Sequence, residues 1–397
     1  MTQLTISQNF LDHAKEQGIK KGLYDFPIVD ADCHYIMTPL EELADFVEEP
    51  WKQRFKYASM GANLTTFPTD LGDRTIAGRT KVREYYRTMP MPKEETMPKT
   101  AYPLVKSLGP LAIDYAVVFP TDLLNFGLHP DSDMEVAIAF GYAGWMTERV
   151  LPADPSLKTM LYLPFSNPEA CVRLVKEYGD KPGVVGCLVT SVRYNPVHHN
   201  AYMPLYKLLE EKGLPLGFHT AAHWQELPFR QLNTFLASHA LGFPFYNMVQ
   251  LTNLVINGIP ERFPDLKIIM IEAGVAWIPF IMRRLDLDYS LRPSEAPLLK
   301  KKPSEYIKNF YFTTQPLENY ENMEEMKMVF DIFDAENQLL YASDYPHQDF
   351  DTPSTIYDLP FLSEKAKRKI LGENALKLFN IKEPKLWARR ALGEQVE

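Results

Sequence analysis

Three cysteines among 397 residues, Cys33, Cys171 and Cys187, are too few for a disulfide framework and lack metal-ribbon spacing. That scarcity fits a reducing, cytoplasmic compartment. No apolar run approaches the roughly 20 residues that span a bilayer. The opening MTQLTISQNFLDHAKEQGIKKG has no apolar core of signal-peptide length, so no leader is expected. Basic residues cluster nowhere and the net charge is -9, which argues against a surface that follows a phosphate backbone. No repeat at a short fixed period stands out. What remains is an ordinary globular composition: 46% hydrophobic and 23% charged residues exclude a disordered chain, a collagen-like chain and a coiled coil.

Short apolar runs alternate with longer amphipathic segments. The runs are 27–32 (PIVDAD), 113–120 (IDYAVVFP), 160–164 (MLYLP), 184–190 (VVGCLVT), 214–219 (LPLGFH), 267–272 (KIIMIE), 310–313 (FYFT) and 339–344 (LLYASD). Most are rich in β-branched and aromatic residues without strict alternation, the pattern of strands buried on both faces. Helical spacing covers 134–150, 168–178, 203–212, 248–257, 277–289, 323–333 and 363–379, with starts at Asn167-Pro168 and Ser363 and stops at Gly213 and Gly258. About eight strand-helix repeats predict a (β/α)8 TIM barrel over residues 26–380. A doubly wound sheet is the alternative, disfavoured because no Gly-rich turn follows the first strand. Residues 1–25 and 381–397 read as terminal arms. Residues 38–107 are too long for one strand-helix unit and predict an insertion over the barrel mouth.

In such barrels chemistry is assembled from the C-terminal ends of separate strands. The first run ends in Asp30-Ala31-Asp32-Cys33-His34, and Asp32 and His34, two apart on a strand, point the same way. A carboxylate beside an imidazole suits Zn, Mn or Fe, or forms a buried hydrogen-bonded pair. His219 ends the fifth run and needs a partner there. His223 lies four residues on, as a catalytic group or a substrate contact. Glu272, after four apolar residues, requires a metal, an Arg or a proton. Asp344 ends the eighth run, with His347 just beyond it. His129, Trp224 and His347 are candidate pocket walls. Arg193 is a candidate clamp for a substrate carboxylate.

Taken together, VDADCH, GLPLGFHTAAHW, IPERFPDLKIIMIEAGVAWIPFIMRRLD and YASDYPH resemble the amidohydrolase superfamily. The likeness is to the branch with aminocarboxymuconate-semialdehyde and γ-resorcylate decarboxylases, and it covers nearly the whole chain. The resemblance implies Asp32, His34, His219 and Asp344 as ligands of a divalent metal, and a homodimer. It implies hydrolysis, with Asp344 moving the proton of a metal-bound water, or decarboxylation. One departure is informative: those decarboxylases carry a His at the end of strand 6, where this chain has Glu272. Strand 4 offers no obvious Lys as a bridging ligand. Three carboxylates around one divalent ion leave a net charge of about -1, so a two-metal site with Glu272 as ligand is expected. Alternatively Glu272 is an acid/base group in a one-metal site. Two further classes compete: an Fe- or Mn-dependent oxygenase on the same barrel, and a metal-free subunit of a complex.

Overall fold

The computed structural model describes residues 3–35, 40–58, 89–192, 195–219, 229–347 and 349–396. Eight parallel strands pair in chain order: β1 (Val29–Tyr35), β2 (Tyr115–Pro120), β3 (Leu157–Tyr162), β4 (Val184–Val189), β5 (Leu216–Phe218), β6 (Ile268–Met270), β7 (Tyr311–Thr313) and β8 (Leu339–Leu340). The last strand's extension meets the first. The N–H of Ala31 donates to Tyr341 O and that of Asp344 to Asp32 O, each at 2.8 Å, and Cys33 bridges to Tyr345. This is the expected (β/α)8 barrel.

Eight of its helices carry the argument: α1 (Gln3–Lys21), α2 (Tyr102–Leu108), α3 (Ser132–Trp145), α4 (Pro168–Tyr178), α5 (Met203–Lys212), α6 (Phe235–Ile256), α7 (Trp277–Leu291) and α8 (Met323–Phe333). Their ends follow local chemistry. Asn167 caps α4 by accepting from the Ala170 N–H, and Gly213, at φ 65°, stops α5 in a conformation that costs glycine little. Helix α6 is longer than the expected 248–257. Pro244 lies inside it, a residue that usually breaks a helix, while Thr234 caps its true start. Burial of Leu251, Leu254 and Val255 holds this helix against the barrel despite the proline.

One apolar layer lies between strands and helices and a second fills the barrel. Val29, Ala31, Tyr115, Val117, Met160 and Leu340 form the inner layer, with Leu378 and Phe379 entering from the N-terminal end. The C-terminal arm seals this floor: Lys385 N–H donates to the Tyr115 hydroxyl and Ala388 N–H to Asp114, each at 2.9 Å. The N-terminal arm is largely helix α1, tied to the C-terminal arm by Lys15 Nζ donating to Ala391 O at 2.5 Å.

Of the insertion, residues 40–58 lie on the outer flank. Trp145 Nε1 donates to Glu42 at 2.7 Å and Arg149 pairs with Asp45 at 2.7 Å. Ser107, at the other end in α2, bonds the Tyr345 hydroxyl at 2.9 Å. Residues 59–88, the middle of the expected cover, lie outside the described residues.

The register of β1 matters for the site. Asp30 pairs with Ala116 but Cys33 with Val118, so one extra residue bulges from β1. A bulge re-aims the side chains beyond it. Val29 and Ala31 therefore fill the barrel interior below, while His34, opposite Phe119, turns inward above.

Candidate metal centre

Five side chains from four strand ends meet at the C-terminal mouth, and all are buried: Asp32 and His34 from β1, His219 after β5, Glu272 after β6 and Asp344 after β8. His34 Nε2 lies 3.0 Å from Asp32 Oδ1, 3.2 Å from Asp344 Oδ1 and 3.4 Å from His219 Nε2. His219 Nε2 lies 3.1 Å from Glu272 Oε2 and 3.7 Å from Asp32 Oδ1. Donor atoms of Asp32, His34, His219 and Glu272 all fall within 4.8 Å of one another, as do those of His34, Asp344 and His347.

The backbone holds two of these acids in an uncommon shape. Glu272 and Asp344 have φ of 52° and 57°, left-handed values that a side chain of this size resists. At Asp344 the neighbouring Ser343 is pinned by Asp30. That carboxylate accepts from Ser343 N–H at 2.8 Å and Oγ at 2.5 Å, and from Asp32 N–H at 3.2 Å. At Glu272 the backbone N–H donates to Thr313 Oγ1 at 2.9 Å.

Electrostatics set the acids apart. Burial drives the Glu272 carboxyl well above the usual range, helped by the charges of Asp344 and Asp32. Burial raises Asp344 too, against the pull of His34. Burial acts upward on Asp32 as well, but His219 and His34 outweigh it and leave it below its ordinary value. Burial pulls His34 down, yet Asp32 and Asp344 carry it up to about 9. Among the described residues Asp32 Oδ2, Asp344 Oδ2 and His34 Nδ1 have no hydrogen-bond partner, and Asp32 Oδ1 and Glu272 Oε2 face only the imidazoles of His34 and His219. Buried oxygens without partners cost folding energy unless something outside the polypeptide binds them. A donor set of carboxylates and imidazoles fits a divalent cation.

His347 extends the cluster. Its Nδ1 lies 2.6 Å from Asp344 Oδ1, its Nε2 3.0 Å from Thr121 Oγ1, and its ring stacks on His34 at 4.3 Å. His129, a candidate wall, joins neither metal-type group among the described residues. It stacks on Phe126 at 4.9 Å and accepts from the Asp131 N–H. Arg193, His223 and Trp224 lie outside the described residues.

Sequence reasoning missed three acids. Asp30 sits in the quoted run, but its partner is 313 residues away. Asp349 lies 3.7 Å from His239 and adds to the charge that Glu272 feels. Glu318 accepts from the N–H groups that follow Glu272. The cysteines are buried and free. Among the described residues no helix is long and apolar enough to cross a membrane.

Comparison with known proteins bears on the fold and the family. An aligned stretch of 191 residues is 26% identical to a 6-methylsalicylic acid decarboxylase of Penicillium expansum and spans 47% of this chain and 56% of that one. A γ-resorcylate decarboxylase of Polaromonas is 22% identical over 60% of this chain and 74% of its own. A solved dihydroxybenzoic acid decarboxylase from Polaromonas, with bound manganese and 2-nitroresorcinol, superposes with a TM-score of 0.62 at 18% identity, covering 90% of this chain and 98% of the other. A solved Mycobacterium avium amidohydrolase reaches 0.67 at 18% identity, covering 89% and 99%. At such identities the structures speak for the fold. Residues 29–381 match the family model for amidohydrolases, and the chain belongs to that family.

Proposed function

We propose that the chain is a divalent-metal-dependent carboxy-lyase acting on a small aromatic carboxylate. The observation that supports this most is the meeting of Asp32, His34, His219, Glu272 and Asp344 with buried oxygens left unpartnered. Separations of 3.0 to 3.7 Å suit neighbouring donors around one cation, where right-angled ligands at about 2.1–2.2 Å stand about 3 Å apart. One ion with a protonated Glu272 leaves the resting site neutral, and the bound substrate carboxylate offsets the further proton that Asp344 takes up. Two ions with an ionised Glu272, the expectation from charge counting, is the competing count. Manganese, the ion in a solved relative, is the first choice of metal.

The cation would supply Lewis acidity toward the substrate's oxygens. The residues supply the rest. Asp344 holds a proton facing the mouth, and His347, between Asp344 and Thr121, orients that carboxyl. The ring carbon takes the proton from Asp344. The bond to the carboxylate then breaks, CO2 leaves, and its electron pair restores the ring. Asp344 recovers a proton from water. Burial keeps bulk water away from the reacting carbon.

The test is CO2 release from 2,6-dihydroxybenzoate, 5-carboxyvanillate and 6-methylsalicylate by protein loaded with Mn2+, with metal per chain measured by mass spectrometry. Turnover of at least one substrate, falling about 1,000-fold in Asp344→Asn, supports the reading. Ester or amide hydrolysis without CO2 release makes the chain a hydrolase instead. A metal ratio near two restores the dinuclear site.

A further inference from the structure

Glu272 is the residue that sets this mouth apart, and its backbone is left-handed, at φ 52°, where its carboxylate enters the cluster. Something must hold that shape. Behind it, the segment 273–276 runs into helix α7, and its free N–H groups point at one side chain. Glu318, half-buried in the connection after β7, accepts from Val275 N–H at 3.0 and 3.1 Å and from Ala276 N–H at 2.9 Å. Gly274 between them has φ 68°, and a Cβ there would lie 2.3 Å from Glu318 Oε1. Any side chain at 274 would push the carboxylate out. Trp277 Nε1 donates back to Gly274 O at 3.0 Å and finishes the turn. With Thr313 bonded to the Glu272 N–H, the end of β7 grips both sides of the candidate ligand.

We propose that Glu318 is a positioning residue for Glu272: it fixes the 272–276 turn so that the Glu272 carboxylate faces the cation. This rests on the metal reading above. Two carboxylates are thus in play, one turned toward the ion and one turned away to hold the first. A charged acceptor on two backbone N–H groups at a helix start is among the stronger hydrogen-bond arrangements. Oε1 takes a bond from both N–H groups, so one carbonyl oxygen at that place suffices for the grip.

The experiment is calorimetric titration of the full chain with Mn2+ alone, with folding monitored by circular dichroism. Glu318→Ala should weaken Mn2+ binding about 10- to 100-fold, the usual scale for groups that orient ligands. Glu318→Gln, which keeps the needed oxygen, should stay within about 3-fold of wild type. In a Glu272→Gln background the same Glu318→Ala change should add little, because the ligand it positions is already altered. A general loss of stability would instead weaken binding equally in both backgrounds, and that result overturns the role. So does a folded Glu318→Ala protein with wild-type affinity. If Glu318→Ala does not fold, Glu318→Asp, one methylene short, stands in for it with the same expectation. Failure of the wild-type chain to bind Mn2+ overturns the metal reading and this role together. Wild-type binding with an indifferent Glu318 overturns this role alone.

Discussion

The two ends of the barrel bury their acids on opposite terms. At the floor, both oxygens of the buried Asp114 accept backbone N–H groups, from Ile28 at 2.8 Å and Ala388 at 2.9 Å. This acid ties the approach to β1 to the C-terminal arm. At the mouth, the equally buried Asp32 accepts no backbone N–H among the described residues: Oδ2 has no partner and Oδ1 faces only the imidazoles of His34 and His219. A buried acid is therefore not in itself the mark of a site. The mark is a buried acid met by ring nitrogens, themselves metal-ligand types, rather than by backbone N–H groups.

That contrast can be broken most directly at the mouth. His34→Ala should lower metal content and turnover together, by at least about 100-fold in affinity, and should abolish the gain in stability that the metal gives the wild type. Elemental analysis beside denaturant unfolding with metal and in EDTA checks it. An equal loss of stability with and without metal would make the mouth a structural network like the floor.

At the floor the expectation reverses. Asp114→Ala strands two buried N–H groups and should cost about 2–4 kcal/mol of unfolding free energy with metal uptake per folded chain unchanged. Loss of metal without loss of stability would erase the distinction.

A smaller effect sharpens it. Burial pushes the Asp114 carboxyl from 3.8 up to about 7, against the pull of its two N–H bonds. Below about pH 4 folded and unfolded chains both hold this proton. Between there and about 7 only the folded chain holds it, so this group's contribution to stability falls as pH rises across that window. Unfolding curves at several pH values should show a shallower decline in Asp114→Asn than in wild type. An unchanged slope would mean that the N–H bonds outweigh burial.

Much of this was legible in the sequence, for a physical reason. Strands buried on both faces read as apolar runs, and an Asp or Glu ending such a run stands out, as Glu272 and Asp344 do. Helices α4, α5 and α8 follow their periodicity to the residue. What stayed hidden depends on backbone shape or on distant partners. Pro244 disguised the first half of α6. The left-handed turns at Glu272 and Asp344 leave no periodic trace. Asp30 and Glu318 acquire meaning only from Ser343 and the 275–276 turn, which the folded chain brings to them.

The bulge in β1 has a consequence for how this barrel can change. In an unbroken pleat, residues an odd number apart face opposite sides, yet Val29 and His34 both look inward. The extra residue is a half-period phase shift. Below it the strand is written for packing and above it for chemistry. Regular pairing throughout would turn Cys33 to the mouth and hide both candidate ligands behind the wall. With the shift in place the two halves differ in phase on one strand, joined through Asp30, which holds Ser343 beside the mouth. A floor rebuilt around an unchanged Asp30 leaves the mouth in register, and a mouth rewritten for another reaction leaves the floor sealed.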